Sequence, residues 1–242
     1  MKIVARTDTG LVRENNQDSY AACELSDKAV FAVVCDGMGG AAEGALASSE
    51  AVRLIKERIA DHYGDDMSDI SIKSLLVSAI ENANKSIYEL SLSNEKYEGM
   101  GTTVVAAIIA NGYVYIAHAG DSRAYRISNR ELNQLTRDHS VVQRMVETGR
   151  ITAEEAEDHP DKHIITRALG VDGEIRVDFC QESFEDDDIL ILCSDGLTNY
   201  IETEDILKLT DDSCYYNYAD RLVNLANQNG GGDNITVVAV EN

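Results

Sequence analysis

Two short runs in this chain have no polar face. Ala29-Val30-Phe31-Ala32-Val33-Val34 and Ile189-Leu190-Ile191-Leu192 are apolar at every position. A strand sends alternate side chains to opposite faces, so a strand that is apolar throughout must be covered on both sides. Here the covers are another sheet on one side and helices on the other. Residues 2–6, 103–110, 113–119, 124–128, 174–181 and 235–240 also read as strands, because they are rich in Val, Ile and Tyr and bounded by Gly, Asp and Asn. Asn111-Gly112 predicts a two-residue hairpin turn. Three strands joined by short turns after Thr102 predict an antiparallel meander.

Helical spacing supplies the outer cover. Ile72, Leu75, Leu76, Ala79, Ile80, Ala83, Ile87 and Leu90 recur every three or four residues, as on one face of an amphipathic helix. A second helix is predicted over about 45–62, with Val52, Ile55 and Ile59 on one face, and a third near 215–229. Between His139 and Gly170 the pattern changes to two short helices, at 141–149 and 153–156. This stretch holds the sole proline, Pro160, together with His139, His159 and His163. It reads as an insertion or flap within one domain spanning 1–242. The fold class is α+β, with packed antiparallel sheets and helices outside.

Charge and cysteine content narrow the function. With 21 Lys and Arg against 43 Asp and Glu, the net charge of −22 argues against nonspecific nucleic-acid binding and against docking on anionic lipid. It leaves room for cations, although most of the acidity reads as solubility. The first residues lack the apolar core of a signal peptide, and no run approaches the 18 or so apolar residues of a membrane span. Cys23, Cys35, Cys180, Cys193 and Cys214 are scattered and never spaced Cys-x-x-Cys, which suits reduced thiols in a cytosol. Cys35 and Cys193 lie in apolar runs and read as packing groups rather than nucleophiles. His118, in a strand, reads as a satisfied core residue, and His139 as a group that orders the flap. Gly230-Gly231-Gly232 lacks the following Lys-Ser/Thr of a phosphate-cradling loop.

Four aspartates stand where apolar strands meet glycine: Asp36 before Gly37-Met38-Gly39-Gly40, Asp195 before Gly196, Asp121 after Gly120, and Asp233 after Gly232. A single Asp-Gly is an ordinary turn. Antiparallel neighbours, however, bring the exit of one strand beside the entrance of the next, so these carboxylates can meet at one end of a sheet stack. Crowded carboxylates repel one another, and a divalent cation relieves that repulsion. All-oxygen donors select hard ions such as Mg2+ or Mn2+. Gly37, with no side chain, can offer its carbonyl. Arg13 and Asp18, in a polar stretch before a strand, read either as a surface salt bridge or as a phosphate clamp and an outer carboxylate.

Six motifs occur in order along nearly the whole chain. They are Thr9-Gly10…Arg13…Asn16-Gln17-Asp18, Asp36-Gly37-Met38-Gly39-Gly40, Gly101-Thr102-Thr103, Gly120-Asp121-Ser122-Arg123-Ala124-Tyr125, Ser194-Asp195-Gly196-Leu197 and Gly232-Asp233-Asn234-Ile235-Thr236. In this the chain resembles the metal-dependent serine/threonine protein phosphatases of the protein phosphatase 2C family, in their short bacterial form. The resemblance implies a four-layer αββα sandwich with a binuclear centre of Mn2+ or Mg2+ at one end. Asp36 would bridge the two ions, Asp195 and Asp233 would hold one, and the Gly37 carbonyl and waters the other, with Asp18 acting through water. Asp121, with Asp195, would bind a third, weaker ion. Arg13 would bind the substrate phosphate.

The implied reaction is hydrolysis of phosphoserine or phosphothreonine by a hydroxide bridging two ions, in a cytoplasmic monomer that acts on a serine/threonine kinase and its substrates. An inactive phosphoprotein-binding module of the same fold and a small phosphate-ester hydrolase are the alternatives; the complete set Asp36, Asp195 and Asp233 favours the enzyme. The acidic chain predicts a preference for phosphosites flanked by Lys or Arg. Three positions depart from family patterns: Met38 and Ala41, where a histidine occurs in some members, and Gln17, where some carry an acid. The proton donor to the leaving oxygen is therefore unassigned.

Overall fold

A computed structural model describes residues 1–210 and 215–242. Cys214 and the side chain of Ala41 lie outside what is described. The strands are β1 (Lys2–Asp8), β2 (Asp18–Ser26), β3 (Ala29–Met38), β4 (Gly101–Thr102), β5 (Val104–Ala110), β6 (Tyr113–Ala119), β7 (Arg123–Ser128), β8 (Glu131–Gln134), β9 (Asp178–Ser183), β10 (Ile189–Cys193) and β11 (Ile235–Glu241). The helices are α1 (Ala41–His62), α2 (Asp69–Ser93), α3 (Val141–Glu147), α4 (Ala153–Glu157), α5 (Asp195–Thr198), α6 (Thr203–Thr210) and α7 (Tyr218–Gln228). One sheet runs β1-β11-β10-β7-β8 and the other β2-β3-β5-β6-β9, with β4 added to β3; every pairing is antiparallel.

The two-faced strands behave as their sequences require. In β3, Ala29, Phe31, Val33 and Cys35 point into a core shared with α1 and α2, where they meet Ile55, Ile59, Leu76 and Ile80. The alternate residues Val30, Ala32 and Val34 face the other sheet and pack with Leu190, Leu192, Val238 and Val240. In β10, Ile191 and Cys193 instead meet Leu197, Ile206, Leu222 and Val223 beneath α5, α6 and α7. The order of layers is therefore helices, sheet, sheet, helices. At roughly 25 cal/mol per Å2 of apolar surface buried, three such cores dominate the stability of the fold.

The Asn111-Gly112 turn forms as predicted. Both residues have positive φ, 56° and 78°, and Ala110 pairs with Tyr113 across it, which matches the twist of the flanking strands. The helix predicted from Ile72 to Leu90 is α2, capped by the Ser68 side chain, which accepts from Ser71 N. The predicted meander is only half present: β5 and β6 pair, but the chain then crosses to the other sheet, where β7 pairs with β10. β6 takes β9 as its second neighbour instead. β9 itself starts at Asp178, later than the predicted 174. β2 and β8 escape the sequence pattern because they are edge strands whose mixed polar residues carry little alternation.

Candidate metal centre

β2 and β3 pair so that Asp18 lies directly opposite Asp36. Asp36 is near the end of β3, and the motif Thr102-Thr103 fixes its backbone. Asp36 N donates to Thr103 Oγ1 at 3.0 Å, Thr103 N donates to Asp36 O at 2.8 Å, and Thr102 Oγ1 donates to the same carbonyl at 2.9 Å. The Thr103 hydroxyl lies 2.6 Å from that of Ser122. β10 delivers Asp195 to the first turn of α5, where Asn199 Nδ2 donates to Asp195 Oδ2 at 3.0 Å. Asp233 precedes β11, and Asp121 follows Gly120 at the exit of β6.

Asp36 feels all four of the other carboxylates electrostatically. Burial, then the charges of Asp18, Asp195, Asp121 and Asp233, hold the Asp36 carboxyl well above the usual carboxylate range. Burial likewise pushes Asp18 and Asp121 each up to about 7. Asp195 is raised as well, by burial and then by Asp233. Asp18 is partly satisfied: Ser194 Oγ donates to its Oδ2 at 2.7 Å, while Oδ1 is buried with no hydrogen-bond partner. A buried acceptor without a donor is costly, and a cation or its water supplies what this one lacks.

Gly37 sits where no side chain fits. A Cβ there would stand 2.1 Å from Gly44 O and 2.6 Å from Gln17 O. Arg13 is half exposed, and its Nη2 donates to Asp233 Oδ2 at 2.9 Å. Among the described residues, no three ligating side chains are yet drawn in around one point. Arg13 occupies Asp233. Even so, the donor set is all oxygen, charged and partly unsatisfied, and it fits hard divalent ions.

The structure thus brings together Asp18, Asp36, Gly37, Asp121, Asp195 and Asp233, with Arg13 beside them. Sequence reasoning gave no role to Ser194, Asn199 or Asn234. Asn234 joins the two ends of the chain: Gln17 N donates to its Oδ1 at 2.8 Å, and its Nδ2 donates to the carbonyls of Thr9 and Asn15 at 2.9 and 3.0 Å. The loop that carries Arg13 is held by this side chain. Ser194 and Asn234 stand inside the quoted motifs, which is where their signal lay. His118, predicted to be a satisfied core residue, is buried and stacked on His139 at 4.8 Å, but it is satisfied on one side only: Nε2 lies 3.0 Å from Arg137 O, while Nδ1 has no hydrogen-bond partner. His139 hydrogen-bonds both Gly120 and Thr166 through its backbone, so it ties residues 139–170 to the strand end. Cys35 and Cys193 are fully buried, and burial raises both thiols far above neutral pH.

Comparison with known proteins agrees with this geometry. The family described as Protein phosphatase 2C matches residues 12–234. A serine/threonine phosphatase stp from Listeria monocytogenes is 43% identical over 239 residues, covering 98% of this chain and 94% of that protein. The solved serine/threonine phosphatase of S. agalactiae superimposes with a TM-score of 0.93 at 36% identity, covering 99% of this chain and 98% of that one. The catalytic domain of the phosphatase PstP, solved with two manganese ions, gives a TM-score of 0.85 at 35% identity and covers 98% of this chain and 96% of that one. The chain belongs to the protein phosphatase 2C family.

Proposed function

We infer that the chain is a metal-dependent protein-serine/threonine phosphatase. The observation that carries this reading is the convergence of five aspartates at one end of the sandwich, each drawn from a different segment, four of them held above their usual pKa. Asp36, Asp195, Asp233 and the Gly37 carbonyl would hold two divalent ions, Mn2+ or Mg2+, with Asp18 outside them. Asp121 would take a third, weaker ion. When bound, such a pair supplies an ionised water and neutralises phosphate charge.

The chain's own residues do the rest. Ser194 holds Asp18 through its Oδ2, and Asn199 aims Asp195. Arg13 exchanges its exposed pair with Asp233, of a kind worth about 0–1 kcal/mol, for the oxygens of the substrate phosphate. No side-chain nucleophile is needed, and the two buried cysteines are unsuited to be one. Asn234 keeps the Arg13 loop against the β11 entrance, so clamp and carboxylates stay in register.

Residues 139–170 act as a flap beside the site and the whole chain as one catalytic domain, read here as a monomer. Its substrates are phosphorylated proteins, among them a serine/threonine kinase and the proteins that kinase modifies. A cytoplasmic location is supported by Cys23, Cys35, Cys180 and Cys193 being free thiols. Among the described residues no helix is long and apolar enough to cross a membrane. The test is hydrolysis of a phosphothreonine peptide with Mn2+ or Mg2+ and then with excess EDTA. Turnover that persists after chelation would refute the reading.

A further inference from the structure

Beside the carboxylate cluster lies a cavity of about 440 Å3, well above a single water and within the range of small-ligand sites. Its lining includes Arg137, Arg144, Arg167 and Arg176. Four guanidiniums around one cavity are a marked concentration in a chain with 21 basic residues against 43 acidic ones.

Three carboxylates also line the cavity, and each is already matched. Arg123 grips Asp138 through Nε and Nη2, the latter at 2.7 Å. Arg137 pairs with Glu147. Arg167 Nη1 holds Asp178 Oδ1 at 2.7 Å. Two guanidiniums are left over. Arg176 reaches Asp178 only at 3.6 Å and is 80% exposed, and Arg144 has no carboxylate partner among the described residues.

The floor adds no opposing charge. His139 is buried, and its Nδ1 accepts the Gly120 N–H at 3.1 Å, which requires the neutral ring. Thr166 contributes a hydroxyl at the rim. Gly120 immediately precedes Asp121, so this floor is one residue from the carboxylate cluster. A guanidinium fork grips two oxygens of a phosphate at once, and two such forks with little carboxylate engagement suit its double charge.

We propose that this cavity binds a phosphate dianion, carried as a monoester on a second phosphorylated residue of the same substrate or arriving as free inorganic phosphate. The proposal rests on the phosphatase reading. It also makes a local exception to the repulsion of acidic substrates that the overall charge predicts.

The test measures kcat/KM with Mn2+ for a peptide carrying one phosphoserine. It then uses a set in which a non-hydrolysable phosphonate is added at successive positions along either flank. A second arm follows the melting temperature in EDTA with and without inorganic phosphate. Both arms compare the wild type with an Arg144→Ala/Arg176→Ala variant, whose two side chains are exposed and outside the core. A phosphonate at one spacing is expected to raise kcat/KM roughly tenfold through KM, and the variant to return the ratio to near one. No gain at any spacing, with a phosphate-dependent rise in melting temperature that the variant loses, assigns the cavity to free phosphate. Neither effect, or equal effects in the variant, overturns the proposal. Failure to hydrolyse even the singly phosphorylated peptide counts instead against the phosphatase reading.

Discussion

Arg13 and Asp233 form an ion pair at 2.9 Å across the mouth of the carboxylate cluster. The guanidinium assigned to the substrate phosphate is thus docked on a carboxylate assigned to an ion. Both residues are solvent-accessible, so the pair is weak and exchangeable. On the proposed roles, entry of a divalent cation at Asp233 and release of Arg13 toward substrate would be one coupled event.

Replacing Arg13 with alanine should lower kcat/KM for a phosphopeptide by about ten- to a hundredfold, mostly through KM, because one charge-assisted fork is lost. Mn2+ affinity should be unchanged or improved, since a competing cation has left Asp233. Isothermal titration with Mn2+ beside steady-state kinetics checks both halves. Weaker Mn2+ binding in the variant would contradict the coupling.

Asp36→Asn and Asp195→Asn should each cut Mn2+-dependent turnover by on the order of a thousandfold. Far-ultraviolet circular dichroism should stay as in the parent, because the carboxylates add charge rather than packing. Near-normal turnover in either variant would remove that residue from the centre.

Stability without metal should fall as pH rises. Asp18 and Asp121 ionise in the fold only near 7, against 3.8 for the free side chain. A raised folded pKa means that the native state holds protons the unfolded chain has shed. This contribution is full below about pH 3.8 and is lost as pH climbs through about 7. In EDTA the melting temperature should decline from pH 5 to 8, and less steeply in Asp36→Asn. Added Mn2+ should raise it more at pH 8 than at pH 5, because the ligands bind in their deprotonated form. A flat profile in EDTA would show that the carboxylates are not crowded.

Gly37→Ala should destabilise the protein by about 1–3 kcal/mol or more, because the new methyl group meets two backbone carbonyls rather than movable side chains. Urea unfolding in EDTA separates this from any effect on ion binding. A change within experimental error would mean that the β3–α1 junction is looser than its packing indicates.

Much of this architecture was legible from residues alone. Val30 and Phe31 share one unbroken apolar run, and only a strand clasped between a sheet and a helix layer satisfies both. Asn111-Gly112 named its own turn. Asp36, Asp195 and Asp233 were legible because strand ends and glycines marked them, and the ordered motifs placed them together. Other features had no local signature. The passage from β6 to β7 looks like a hairpin in sequence, but Gly120, with φ of 117°, sends the chain to the opposite sheet. β2 is an edge strand whose partner is set by tertiary pairing, so its polar face hid it. The roles of Asn234 and Ser194 depend on partners more than 170 positions away, which no windowed pattern contains.

β1 and β11 lie side by side, Lys2 opposite Glu241, although they are the first and last of the described strands. During synthesis, β1 must wait for its sheet partner until β11 has been made. Asp233, only two residues ahead of β11, joins the cluster at that same late moment. With Asp233 among the proposed ligands, the centre would therefore not be complete by halves during synthesis; that carboxylate and the closing strand arrive together.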